Sequence, residues 1–418
     1  MHPTMNTFTY VFLAVLALNL GLHIWLDRRH LRHVLAHRSA VPDAFAGQIP
    51  LASHQKAADY TTARLRFGLV ETVFGAIVLL GWTLGGGFDL LDRWVRGFGW
   101  PDVATGVAFL LAGILLLAII DLPAQVYRIF VIEQRFGFNR TTIRTFLSDL
   151  LKSAALLLAL GAPLATLVIW LMRNSGALWW LYVWLTWTGF SLLMLWAFPV
   201  FIAPLFNRFE PLTDGGLVDR IERLLARTGF RSSGLFVMDG SRRSAHGNAY
   251  FTGFGANKRI VFFDTLLKEL SGEEIEAVLA HELGHFKRRH VLKRVAAMTV
   301  VSLIGLAVLG WLSGQPWFYS GLGISTPSVH TALMLFLTVS PVFTFVLQPL
   351  LSGWSRRHEF EADAYAVEQS DGRALIHALV KLYKENANTL TPDPLYSAYH
   401  DSHPPAPIRV AHLQALMR

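Results

Sequence analysis

The sequence predicts a mainly α, polytopic membrane protein with a smaller α+β domain in the aqueous phase. Three observations predict it. Hydrophobic residues make up 53% of the chain and charged residues only 16%, well under the roughly one quarter of a soluble protein. Seven apolar segments reach the length a helix needs to cross a bilayer, about 20 residues. Between the fifth and sixth of them runs a long stretch whose pattern changes from helix to strand periods.

The seven segments lie near Phe8–Leu26, Phe67–Leu84, Val103–Ile120, Ala154–Trp170, Leu178–Ile202, Val295–Leu312 and Val329–Leu351. The first does not read as a cleavable signal peptide, because no basic residue precedes it and Arg28, Arg29 and Arg32 follow it. Loop charges orient the set. The connection after the first span holds Arg28, Arg29, Arg32, Arg38, Lys56 and Arg64, and that after the third holds Arg128, Arg135, Arg140 and Arg144. The connection after the second sets Arg93 and Arg96 against Asp89, Asp92 and Asp102, that after the fourth has Arg173 alone, and that after the sixth is uncharged. The alternation predicts an N-terminus outside and a C-terminus in the cytoplasm. Four regions follow: 1–202 with five spans, a cytoplasmic domain over 203–294, spans six and seven over 295–351, and a cytoplasmic tail over 352–418. Pro341 after Ser340 predicts a kink in span seven. The Trp-rich "ALWWLYVWLTW" from Ala177 fits an interfacial aromatic belt.

In the domain, Leu217, Ile221, Leu224 and Leu225 form the apolar stripe of a helix. "GLFVMDG", "NAYFTGFG" and "KRIVFFD" read as short strands with Gly and Asn at the turns. Ser271 with Glu274 three residues later reads as a capping box that starts another helix.

Composition narrows the chemistry. Cysteine is absent, so disulfides and thiolate metal sites are excluded and any metal must use His, Asp or Glu. The net charge of +8 comes from basic residues scattered through loops. That suits cytoplasmic loops beside anionic lipid and gives no nucleic-acid patch.

The capped helix carries "AVLAHELGHFKRRH" from Ala277. Residues i and i+4 share a helix face, so His281 and His285 can direct two imidazoles at one ion. Glu282 follows the first, where it can act as general base on a water at the metal. A catalytic zinc needs a third protein ligand and an open position. "RRHEFEADAYA", just after span seven, offers Glu359 as that ligand. Asp363, four residues on, can take a hydrogen bond from a ligand histidine and set its tautomer. Glu361 falls elsewhere on the helix and is expected in solvent. His290 lies five residues past His285, off the ligand face. Glu71, early in span two, is expected to pair with Arg64 or Arg66. Two other classes compete with a protease. A transporter with a cytoplasmic domain would show internal repeats, and none is found. An inert metal-binding scaffold would have no use for Glu282.

At these residues the chain resembles the integral-membrane type I CAAX prenyl proteases over nearly its whole length. Besides "HELGH" and "EFEAD", the matching stretches are "EQRFGFNRTT" from Glu133, "FIAPLFNRFEPL" from Phe201, "HGNAYFTG" from His246 and "SHPPAPIRV" from Ser402. One departure is Gly247, where the family commonly has serine. A related family of membrane quality-control metalloproteases shares the metal motifs but lacks the seven spans and the "SHPP" tail. The resemblance implies a zinc metalloendopeptidase with one Zn2+ per chain, its seven helices ringing an intramembrane chamber. It implies His281, His285 and Glu359 as ligands and Glu282 as catalytic base. Asn248, with Ala249 beside it, would bind substrate backbone. His403 and Arg409 would hold substrate or stabilise the oxyanion, His403 as a catalytic residue. The substrates implied are proteins or peptides, C-terminally prenylated ones among them. The cysteine-free composition, the compact loop after span six and a short tail without an ER retrieval signal point to a bacterial plasma membrane. "NAYFTGFGANKRIVFFD", Asn248 to Asp264, is expected to form a hairpin whose exposed strand receives substrate by β-augmentation.

Overall fold

A computed structural model describes residues 5–252 and 258–418. Seven of its helices are long and apolar enough to cross a membrane: α1 Thr7–Ala36, α2 Leu51–Trp82, α3 Asp102–Phe136, α4 Ile143–Asn174, α5 Gly176–Phe206, α8 His290–Leu312 and α9 Val329–Gln369. Each predicted span falls on one of them, the second overrunning its helix end at Trp82 by two residues, and two helices run far beyond the predicted span. Helix α2 begins at Leu51, in what reads from sequence as a loop. Its first turns bury Ala57 and Tyr60 against Ile132 and Phe138, so an amphipathic stretch too polar for lipid is held by protein. Helix α9 continues past Leu351 into the aqueous domain. Pro341, which cannot donate a backbone hydrogen bond, lies just before a tighter turn at Phe345–Leu347.

Consecutive helices pack side by side, and α9 closes the circuit by contacting both α1 and α8. The apolar windows of the spans are only 6–28% buried. Most of each span's apolar surface therefore lies outside the protein core, and α9 also touches α3 and α4. One end of the helical set is stopped by one apolar core, which joins Phe12, Phe109, Leu309 and Leu335 to a short helix at Gly87–Arg96.

The other end carries the aqueous domain, with a four-stranded sheet in the order β1-β2-β4-β3. The strands are β1 Phe209–Pro211, β2 Leu235–Met238, β3 Ala249–Thr252 and β4 Arg259–Phe263. β2 and β4 are parallel and the other pairs antiparallel, with Ala249 opposite Phe262. β3 is therefore an edge strand. The turn of the expected Asn248–Asp264 hairpin, residues 253–257, lies outside the described residues. β1 is too short and too Pro-interrupted to read from sequence.

Helix α6, Gly215–Thr228, buries the predicted stripe of Leu217, Ile221, Leu224 and Leu225. Helix α7, Gly272–Lys287, starts at the predicted capping box: Ser271 Oγ accepts from the Glu274 amide at 3.3 Å, and Glu274 Oε2 accepts from the Ser271 amide at 2.7 Å. Helices α10, Gly372–Glu385, and α11, Ala406–Leu416, complete the domain. A single apolar core takes in Ile221, Phe262 and Leu283 from before span six and Leu375, Leu379 and Leu413 from after span seven. The two aqueous stretches thus fold as one body.

Candidate metal centre and active site

The centre forms where α7 crosses α9. A Cβ on Gly284 would sit 2.8 Å from Ala362 Cα and 3.0 Å from its carbonyl oxygen. Only glycine allows this approach, which sets the HELGH face directly against Glu359 and Asp363.

His281 Nε2 and His285 Nε2 lie 3.2 Å apart. Glu359 Oε2 is 3.5 Å from the first and Oε1 is 3.3 Å from the second. Among the described residues this is the one group of three able to share a metal ion. The spacings fit one. Ligand atoms about 2.0–2.1 Å from a tetrahedral ion are roughly 3.3 Å from each other. The chemistry fits as well. His281 Nδ1 meets Asp363 Oδ1 at 2.8 Å, so the proton belongs on that side and Nε2 offers a lone pair. Glu359 Oε2 is buried without a well-formed hydrogen bond. Lone pairs aimed at one another in a buried place are repulsive, and a cation between them removes the repulsion.

The surrounding shell is built from separate parts of the chain. Arg409, on α11, donates to Asp363 through Nε at 2.8 Å and Nη2 at 2.6 Å, and its Nη1 lies 3.6 Å from Glu359 Oε2. Burial and the Arg409 charge both oppose a protonated His281. Its contacts with Asp363 and Glu359 outweigh them and hold its pKa above the ordinary value in the metal-free chain. His403 brings Nδ1 to 2.9 Å from Glu359 Oε2 while most of its ring stays open. A cavity of about 670 Å³ opens beside it, lined by Arg64, Tyr383 and His400 among others, and reaches Glu71 and Arg128 between the spans. Burial pushes the Tyr383 phenol up to about 12, so it is a neutral donor at working pH. Glu282 is half-buried, and Asn248 is exposed at the start of the edge strand, its Oδ1 2.8 Å from the Ala249 amide.

The readings of His290 and Glu71 change, while Glu361 is exposed as expected. His290 stays outside the group of three candidate ligands, as its spacing predicts, but it does not stand apart from the centre. It is buried, 3.0 Å from His285 Nδ1 on one side and 3.0 Å from Glu361 Oε2 on the other. Helical spacing does not foresee this contact because the helix does not continue: Arg289 takes a left-handed backbone, φ 58°, between α7 and α8, and the break swings His290 back. Glu361 is correspondingly tied to a histidine that contacts a candidate ligand. Glu71 pairs with Arg128 of α3, whereas Arg64 lies over the Tyr60 ring.

Sequence reasoning also left the role of Glu133 and His246 open. The His246 ring stacks on Phe138, its Nε2 is 3.6 Å from Glu133, and its Nδ1 is 3.1 Å from Asn386 Oδ1. The Gly247 amide donates to the same Asn386 oxygen at 3.2 Å. The quoted stretches "EQRFGFNRTT" and "HGNAYFTG" therefore meet, and they hold the residues that lead into β3.

Comparison with known proteins accounts for the whole chain. Residues 30–208 match the model of the CAAX prenyl protease N-terminal region with five membrane helices, and residues 211–417 match peptidase family M48. The chain belongs to the CAAX prenyl proteases of family M48. It is 42% identical to CAAX prenyl protease 1 homolog of Arabidopsis thaliana over 71% of this chain and 70% of that one. It is 34% identical to CAAX prenyl protease 1 of Saccharomyces cerevisiae over 87% and 86%. Against the crystal structure of S. mikatae Ste24p the TM-score is 0.91 at 30% identity, covering 99% of this chain and all of that one. The M48 protein described here is thus an integral multi-pass zinc metalloendopeptidase that acts on membrane-associated substrates. The transporter and inert-scaffold readings give way.

Proposed function

We propose that this M48 peptidase hydrolyses peptide bonds near the C-terminus of CAAX-type substrates, prenylated chains among them, using one zinc ion held by His281, His285 and Glu359. The observation that carries the reading is the convergence of two Nε2 atoms and one carboxylate at tetrahedral spacing. The printed names of the relatives support the substrate class.

Zinc bound there supplies Lewis-acid polarisation of the scissile carbonyl and acidifies water. The remaining work falls to the chain. Glu282 takes a proton from the attacking water and passes it to the leaving amine. The substrate backbone extends along the free edge of β3, with Ala249 giving main-chain hydrogen bonds and Asn248 a side-chain one. His403, largely exposed and held near by Pro404 and Pro405, donates to the oxygen that gains charge in the transition state. Asp363 keeps the His281 proton on Nδ1, and Arg409 holds Asp363. The excess of Arg and Lys in alternate loops supports an active site on the cytoplasmic face with the N-terminus outside. The absence of cysteine and the compact loop after the sixth span support a bacterial inner membrane as the setting.

The test is a quenched peptide ending in a farnesylated C-a-a-X sequence, read by mass spectrometry. Glu282→Gln should lower kcat by at least about 100-fold with metal content unchanged. Near-normal turnover in that variant would refute the assigned base. Products cut only far from the C-terminus would refute the substrate class alone.

A further inference from the structure

A second concavity opens beside His285 and shares no lining residue with the cavity beside His403. It measures about 550 Å³, and four cations line it, Arg231, Lys258, Lys287 and Arg289, without one acidic residue. Among the described residues none of the four takes part in an ion pair. Residues 253–257 are Gly, Phe, Gly, Ala and Asn, so they add no carboxylate. Lys258 is the most confined. Its ammonium stands 3.8 Å from the centre of the Phe286 ring and 4.8 Å from that of Phe230, and burial draws its pKa down. Ring faces attract a cation only modestly, so four gathered like charges still lack an anion. Arg289 is held toward the concavity by the left-handed backbone that ends α7. Such a backbone is uncommon for a residue with a side chain.

The floor differs in character. Val291 and Leu292, in the first turn of membrane helix α8, are exposed and line the same concavity. Cations above and exposed aliphatic side chains below, at the point where a helix enters the membrane, match an amphiphile with an anionic head and acyl chains. A free phosphate would leave the aliphatic floor bare. An acidic peptide would meet the cations but have no use for side chains facing the acyl layer.

We propose that this groove is a binding site for an anionic phospholipid of the surrounding leaflet, its phosphate among Lys258, Lys287 and Arg289 and its chains against Val291 and Leu292. The site adjoins His285, and its wall residue Phe230 packs on Phe251 of β3. It does not depend on the assignment of substrate.

The full-length protein in nanodiscs of phosphatidylcholine containing a brominated phosphatidylglycerol tests this, with the native tryptophans and lipid adducts in native mass spectrometry as readouts. A basic residue at an anionic surface is worth about fivefold in affinity. Lys258→Gln with Arg289→Gln should therefore weaken retention of phosphatidylglycerol by about twentyfold or more. Arg223→Gln with Lys268→Gln removes the same charge from exposed positions outside the groove and should change retention less than twofold. Val291→Asp in place of the charge variants should also reduce retention, since it attacks the floor. Equal loss in both charge pairs would show unspecific surface attraction and overturn the proposal. Full displacement of the lipid by glycerol phosphate, or by an acidic peptide at equal concentration, would assign the groove to a soluble anion or a peptide instead. Circular dichroism and metal content at the unmodified level keep a folding defect from passing for lost binding.

Discussion

The molecule builds a buried histidine–aspartate–arginine chain twice, once at each end of the helical set. In the aqueous domain His281 Nδ1 meets Asp363 at 2.8 Å and Asp363 is held by Arg409. At the opposite end His330 Nε2 meets Asp92 at 2.7 Å and Asp92 is held by Arg96 at 2.8 Å. The difference lies on the other side of the imidazole. His281 turns its free nitrogen toward His285 and Glu359. His330 turns Nδ1 toward Gly106, where a Cβ would come within 3.1 Å of it, and its neighbours Phe109 and Ile169 are apolar. A triad of this kind fixes a ring and its tautomer. It becomes a metal site only where further lone pairs converge. At the end away from the aqueous domain the same three residue types tie the short helix Gly87–Arg96 to the start of α9.

That contrast can be broken most completely at Glu359. Glu359→Ala deletes a ligand and leaves two imidazoles, so metal content by elemental analysis should fall from about one per chain to near zero, with turnover lost. Retained metal would move the third ligand elsewhere. Asp363→Asn should come next, because partners of ligand histidines are worth about 10–100-fold in metal affinity; a chelator competition reads it directly. Asp92→Asn is the matched change at the other end. It should leave metal affinity and kcat untouched and lower the thermal midpoint, since it uncouples a buried pair. A metal defect in Asp92→Asn would mean that the two ends communicate. Within the centre itself the smallest effect is expected at His403, whose ring is mostly open: His403→Ala should reduce kcat about tenfold at full metal occupancy. If metal were lost there, His403 would belong with the ligand shell.

Orientation sharpens the same comparison, because the two triads should face opposite sides of the membrane. Cysteine placed at Ser320, near the core away from the aqueous domain, should react with an impermeant thiol reagent in intact cells. Cysteine placed at Arg223, on α6 of the aqueous domain, should react only after permeabilisation. The reverse pattern would invert the reading drawn from loop charges.

Much of this was legible in the chain by itself, and the reasons are local. Seven spans follow from apolar length. The helices α6 and α7 follow from a 3.6-residue stripe and from the Ser271–Glu274 cap. The pairing of His281 with His285 follows from one helix turn, and the Glu359–Asp363 spacing follows in the same way. What local pattern could not supply was any relation between elements far apart in sequence or across a helix break. Only the close crossing at Gly284 and Ala362 sets α7 on α9. Only the fold brings Arg409 to Asp363 and His403 to Glu359, because both travel on a segment whose own periodicity says nothing about its neighbours. The contact of His290 with His285 was missed because a left-handed residue at Arg289 ended the helix that the spacing argument assumed. Glu71 found Arg128 on another helix and not the arginines of its own. Short-range order depends on the residues within a turn or two; the partners of a buried charge depend on which surfaces the core forces together.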